Sequence, residues 1–135
     1  MTISQYITSF LKKYENITIE TNHVADGSDK YGMFKSPARD VTNYNDSSYA
    51  ITEYFNFFAK QSAIAESERK ESDEWLEDFM YWLDDYAVDN DYPEIDGNRR
   101  ILSITATGCP TAMFDDEDDI TYQISMSITY EREVM

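Results

Sequence analysis

From Ile120 to Arg132 the chain alternates apolar and polar residues at every step. Ile120, Tyr122, Ile124, Met126, Ile128 and Tyr130 fall on one side, and Thr121, Gln123, Ser125, Ser127, Thr129 and Glu131 on the other. Successive side chains of a strand face opposite sides, so this period of two predicts a β-strand with one apolar and one polar face. No other stretch constrains the fold as tightly. The chain must supply partner strands and something apolar to cover one face. The other face carries hydroxyls rather than Lys or Glu, which suits a surface that is wetted or touched by a partner.

The covering elements are legible upstream. Ile3, Tyr6, Ile7, Phe10, Leu11 and Tyr14 recur at helical spacing and predict a helix over 2–14. Thr2 followed by Gln5 resembles a capping box, with Lys12 and Lys13 expected in the last turn. A second helix starts within Glu66–Glu74. Trp75, Leu76, Phe79, Met80, Trp82, Leu83 and Tyr86 give it a wide apolar stripe, its carboxylates take the remaining positions, and Pro93 ends it.

Strands are expected at 17–24, 48–60 and 100–107, where β-branched and aromatic residues concentrate. In 48–60, Tyr49, Ile51, Phe55 and Phe57 share one face, and Tyr54 and Phe58 lie on the other. Extended segments joined around 43–48 predict a hairpin. Between them, 25–39 is punctuated by Gly27, Gly32 and Pro37, with Lys30–Phe34 a short strand or an exposed arm. The fold class is therefore α+β: a mostly antiparallel sheet of four or five strands, with an N-terminal helix and a long amphipathic helix packed on one face. Residues 1–135 form a single domain.

Charge and motif content narrow the chemistry. The formal net charge is −16, with 27 acidic against 11 basic residues. Such a chain repels phosphates, so sequence-specific nucleic-acid binding is not expected. No long apolar run predicts a membrane span, and the N-terminus lacks the pattern of a signal peptide. Cys109 is the only cysteine, so no intramolecular disulfide forms, which fits a reducing compartment.

His23, the only histidine, has no Cys, Asp and His set around it to make a metal site, and its expected role is structural. Asp115, Asp116, Glu117, Asp118 and Asp119 form an acidic rim that invites a calcium reading. An EF-hand loop needs Gly at its sixth position and Glu at its twelfth; counting from Asp115 these are Ile120 and Met126. Neither a catalytic residue nor a metal or cofactor site is expected, and the chain is read as not an enzyme.

The order of local features carries a resemblance. An N-terminal helix and short strand are followed by Tyr54-Phe55-Asn56-Phe57-Phe58-Ala59. This segment leads into an acidic, aromatic helix with Glu74-Trp75-Leu76-Glu77. Then come Tyr92-Pro93, Gly97, an Asp-rich loop and the closing strand. In this order the chain resembles the minor capsid or tail terminator proteins of phages and phage-derived tails from Gram-positive bacteria. It departs from their pattern at 25–46, which is shorter and more polar.

The resemblance implies a structural virion or tail-particle component, assembled in the bacterial cytoplasm. It implies a homo-oligomeric ring, usually a hexamer, that caps the tail tube and offers a joining surface to the head, with the tube protein and a sheath or neck protein as partners. Candidate interface residues are Tyr31, Phe34, Tyr44, Thr121, Gln123, Ser125, Ser127 and Thr129, with Tyr31 and Phe34 either anchoring a neighbour or folding back onto the core. A competing reading is a small acidic binding protein, in which the carboxylates of 71–91 imitate phosphates as a DNA mimic or inhibitor of a nucleic-acid enzyme.

Overall fold

The computed structural model describes residues 1–25, 29–45, 47–62, 65–115 and 119–134. The elements run α1 (Ile3–Leu11), β1 (Ile19–Thr21), β2 (Lys30–Asn45), β3 (Ser48–Ser62), α2 (Glu66–Asp89), β4 (Arg99–Ala106), β5 (Thr111–Asp115) and β6 (Asp119–Glu133). They form an α+β fold with one sheet, ordered β1-β2-β3-β6-β4, in which β5 also pairs with β6.

The closing strand is the sheet's centre. β6 pairs antiparallel with β3 from Ser48↔Glu133 to Ser62↔Asp119. Along its other side it pairs with β4 through its C-terminal half and with β5 through its N-terminal half. β4 and β5 are thus one broken edge strand, interrupted at Gly108-Cys109-Pro110. Pro110 has no N–H to donate to a ladder, which suits a break.

Three expectations are corrected. The sheet has six strands and is mixed, because β1 pairs parallel with β2. β2 is sixteen residues long rather than a short segment at Lys30–Phe34. A register irregularity between Lys35 and Arg39 carries Ser36, Pro37 and Ala38 past the β3 ladder, which masks the strand's period in the sequence. β5 lies in what reads as a loop leading to the acidic run, because five residues with one charge give too short a pattern to recognise.

Gly32 is required where it stands. A Cβ there would lie 2.2 Å from the His23 carbonyl oxygen, so the segment after β1 can cross β2 only at glycine. Asn22, with φ of 56°, makes that turn.

Both helices cover the same face. α1 buries Ile3, Tyr6, Ile7, Phe10 and Leu11, and the Thr2/Gln5 capping box is formed. The helix stops at Leu11, so Lys12 is its C-cap and Lys13 lies beyond it, outside the last turn. α2 buries Ser72, Leu76, Phe79 and Leu83, and ends at the Asn90 cap before Pro93 is reached. Ala65 offers no capping side chain. Instead the Glu68 carboxylate accepts the Ala65 N–H at 3.0 Å and the Ser62 hydroxyl at 2.7 Å, tying the helix start to the end of β3.

Aromatic rings join the two helices. Phe10 lies 5.3 Å from Trp82 and 4.9 Å from Tyr86, and Tyr14 lies 5.2 Å from Phe79. Phe79 in turn stacks on Phe57 of β3 at 5.1 Å. Edge-to-face and offset pairs of this kind add about 0.5–1.5 kcal/mol each beyond the area they bury.

Candidate functional site

Burial alternates along β6 from Ile120 to Tyr130 without exception. The apolar side chains lie under the helices. Thr121, Gln123, Ser125, Ser127 and Thr129 point to the opposite face, and no helix lies over that face among the described residues. β3 adds Thr52, Tyr54, Asn56 and Phe58 to it, β2 adds Phe34 and Asp40, and β4 adds Thr105.

The polar groups of this open face bond across strands. Thr52 and Thr129 hydroxyls are 2.8 Å apart. The Asn56 side-chain carbonyl accepts from Gln123 at 2.7 Å and from Ser125 at 3.0 Å. Thr105 and Ser127 are 3.4 Å apart, and the Tyr54 phenol donates to Asp40. That bond holds the Tyr54 phenol above its ordinary pKa.

At one corner Phe34 sits edge-on against Phe58, with centroids 5.1 Å apart. The face is an uncovered surface of partly exposed hydroxyl and amide groups with an aromatic corner. Because its groups are already held by one another, a partner meets an ordered surface and loses little side-chain entropy in binding it.

The sheet's two edges are treated differently. On the β4 side, the Ile104 N–H donates to the Tyr92 hydroxyl at 3.1 Å, and the Ala106 N–H donates to the Asp84 carboxylate at 2.9 Å. α2 and the segment after it thus occupy donors that another strand would seek. On the β2 side, β1 pairs only with Tyr31–Met33, and no strand pairs with the outer side beyond that among the described residues. Pro37 and the charged Lys35, Arg39 and Asp40 lie along this stretch.

One acidic residue lies on the helix-covered face. Glu53 is only 5% exposed, between Ile51 and Phe55 in the β3 alternation. Its carboxylate meets Lys35 Nζ at 2.7 Å and accepts the Tyr130 hydroxyl at 2.5 Å. Burial pushes the Glu53 carboxyl up. The hydrogen bonds from Lys35 and Tyr130, with the charges of Lys35 and Arg39, outweigh it and hold the group below the usual carboxylate range. Burial, reinforced by the bond to Glu53, pushes the Tyr130 phenol up to about 12. The sequence reading passes over Glu53, although its place in the alternation marks it as an acid on an apolar face. Its oxygens are engaged by Lys35 and Tyr130, and the cluster anchors the β2–β3–β6 register.

The expected interface residues divide. Thr121, Gln123, Ser125, Ser127 and Thr129 share the open face, and Phe34 joins them. Tyr31 does not: it folds back under the helices, stacked 6.0 Å from Phe57 and tilted against Trp75 at 5.7 Å. Its register opposite Ala59, whose side chain is buried in the core, leaves it no other direction. Tyr44 belongs to β2, with its side chain outside the described residues. Of the acidic rim, Asp115 ends β5 and Asp119 opens β6, while Asp116, Glu117 and Asp118 lie outside the described residues.

His23 is exposed and lies 3.4 Å from Glu20, and Cys109 is an exposed free thiol. No cluster of three or more metal-ligating side chains occurs among the described residues. No helix is long and apolar enough to cross a membrane. In comparison with known proteins, the chain matches no protein-family model and no curated relative.

Proposed function

We propose that the protein is a structural subunit of a phage or phage-like tail, a ring component that caps the tail tube and presents a joining surface to the head or neck. The carrying observation is the asymmetry of the sheet: one face is buried beneath two helices, and the other is an uncovered plane of cross-bonded Thr, Ser, Asn and Gln side chains. A non-obligate interface is about as polar as the rest of a protein surface, so an ordered polar sheet face with an aromatic corner at Phe34 and Phe58 is compatible with protein assembly. The cross-bonded hydroxyl and amide groups of that face support a role through surfaces. The resemblance to tail terminator and minor capsid proteins is the support for the ring, the hexamer, the tube as partner and a location in the virion or tail particle.

The test is capping. Purified protein is mixed with tail tubes and viewed by negative stain, with rings at tube ends as the expected result. Ser125→Lys together with Ser127→Lys keeps the fold and abolishes capping. Wild-type protein that never associates with tubes overturns the proposal.

One observation favours a second reading, the small acidic binding protein. Residues 66–96 hold thirteen carboxylates against two basic side chains, a net charge of −11. Most of these carboxylates line exposed positions of α2 and the segment after it. On this reading the helix imitates a phosphate backbone for a basic partner. Its mark is salt-sensitive binding to a basic nucleic-acid enzyme that is lost when Asp85 and Asp89 become Lys.

A further inference from the structure

The charge of this chain is unevenly placed. Against −11 for residues 66–96, the β2–β3 hairpin (30–62) carries four basic and three acidic residues, a net charge of +1. Beyond Glu53 the hairpin outruns the helical layer. Val41 pairs opposite the buried Ile51 and points to the helix-bearing side, yet it is 48% exposed. There Arg39, Val41, Tyr49, Ile51, Arg132 and Val134 line a concavity of about 280 Å³. This lies below the roughly 300–1,000 Å³ of small-molecule pockets and is the scale of a side chain. Val41, Tyr49, Ile51 and Val134 give it an apolar lining, and Arg39 and Arg132 bring positive charge to it.

The exposed side of α2 has the opposite character. Glu77, Tyr81, Asp85 and Val88 follow one another at four- and three-residue spacing, so they form one stripe. Tyr81 is 51% exposed and Val88 77% exposed, and Glu77, Asp78, Asp84, Asp85 and Asp89 surround them in the sequence of the helix. An exposed aromatic among acids is a knob with the charge that the arginine-lined socket lacks. Tyr and Arg are also the residue types that anchor interfaces.

We propose that the socket at the hairpin end of one copy receives the Tyr81 stripe of α2 from a second copy, with Arg39 and Arg132 facing Glu77 and Asp85. The two surfaces are different parts of the same chain, so the contact is head-to-tail and propagates until the rotation closes a ring. The identity of the partner rests on the assembly reading above. The contact itself leaves the open face of the sheet free for a different neighbour.

The experiment uses the full chain without tubes, with mass measured by size exclusion and light scattering. Wild-type protein forms closed oligomers. A socket variant, Arg39→Asp with Arg132→Asp, runs as a monomer. So does a knob variant, Tyr81→Ser with Asp85→Ser. Mixed together the two give 1:1 dimers and nothing larger, because one intact knob meets one intact socket.

Val41→Glu, at an exposed position opposite Ile51 rather than opposite Glu53, repeats the socket test should the double arginine change disturb folding. A monomeric wild type, a variant that keeps the wild-type mass, or a mixture that stays monomeric overturns the proposal. Dissociation by the socket variant alone, with the knob variant unaffected, also overturns it and indicates reciprocal pairing of two hairpin edges. Oligomers that follow the expected pattern but never bind tubes leave this contact standing and remove the tail-cap function instead.

Discussion

The two faces of β6 are built from alternate residues of one strand and differ in almost everything else. On the covered face, Ile124, Met126 and Ile128 are fully buried against helices that contribute Phe10, Phe79 and Leu83. On the open face, Gln123, Ser125 and Ser127 bond to neighbours of similar size and polarity. The first face holds the fold together through apolar burial. The second gains little from its hydrogen bonds, because each replaces one made with water. Side chains one position apart in the sequence thus answer to different demands, stability on one side and contact on the other.

The largest effect comes from the covered face. Phe57→Ala removes a ring stacked between Tyr31 and Phe79 and costs about 3–5 kcal/mol, measured by urea unfolding. A loss under 1 kcal/mol would erase the distinction between the faces.

Next is the ion cluster at the covered face's margin. Tyr130→Phe deprives the buried Glu53 carboxylate of a donor and costs about 1.5–3 kcal/mol. The same cluster sets the pH response. The folded Glu53 carboxyl titrates below its ordinary 4.5, so its contribution is complete above that value and is lost as pH falls through the folded value. Tyr130 runs the other way: its contribution is full below pH 10 and fades toward 12. Glu53→Gln flattens the acid limb of a stability-against-pH curve, and an unchanged acid limb would show the cluster to be inert.

A smaller loss is expected at the capped edge. Asp84→Ala frees the Ala106 N–H and costs about 1 kcal/mol, with faster amide exchange there as the readout. The smallest effect on stability belongs to the open face. Ser125→Lys with Ser127→Lys changes stability by about 0.5 kcal/mol or less, as surface changes do, while abolishing tube capping. A large destabilisation there would mean that the open face is a second core.

How much of this was legible depended on period. β6, α1 and the apolar stripe of α2 are unmistakable because a single buried face imposes a regular repeat. β2 was hidden because Gly32 answers to a close backbone crossing and Pro37 to a register irregularity, neither of which follows strand alternation. Tyr31 shows a different limit. Its sequence surroundings are polar, and only the pairing with Ala59 reveals that it turns inward. Glu53 was readable in principle, since the same alternation that buries Ile51 and Phe55 must bury the residue between them. What no local pattern announced was its partners, because Lys35 and Tyr130 arrive from separate strands.

The pairing of β3 with β6 has a consequence in time. Thr52 and Thr129, opposed at the middle of the sheet, are 77 residues apart in sequence. Loop closure of that length precedes any reward from the central ladder, which places folding among the slower, non-local topologies. During synthesis the interval is longer still. At roughly 5–20 residues per second, several seconds separate the emergence of Ser62 from that of the strand it awaits. Through that interval β3 presents Phe55 and Phe57 on a strand with one ladder open. The nascent chain is therefore most vulnerable to pairing with a wrong partner just before the segment that completes its own sheet is made.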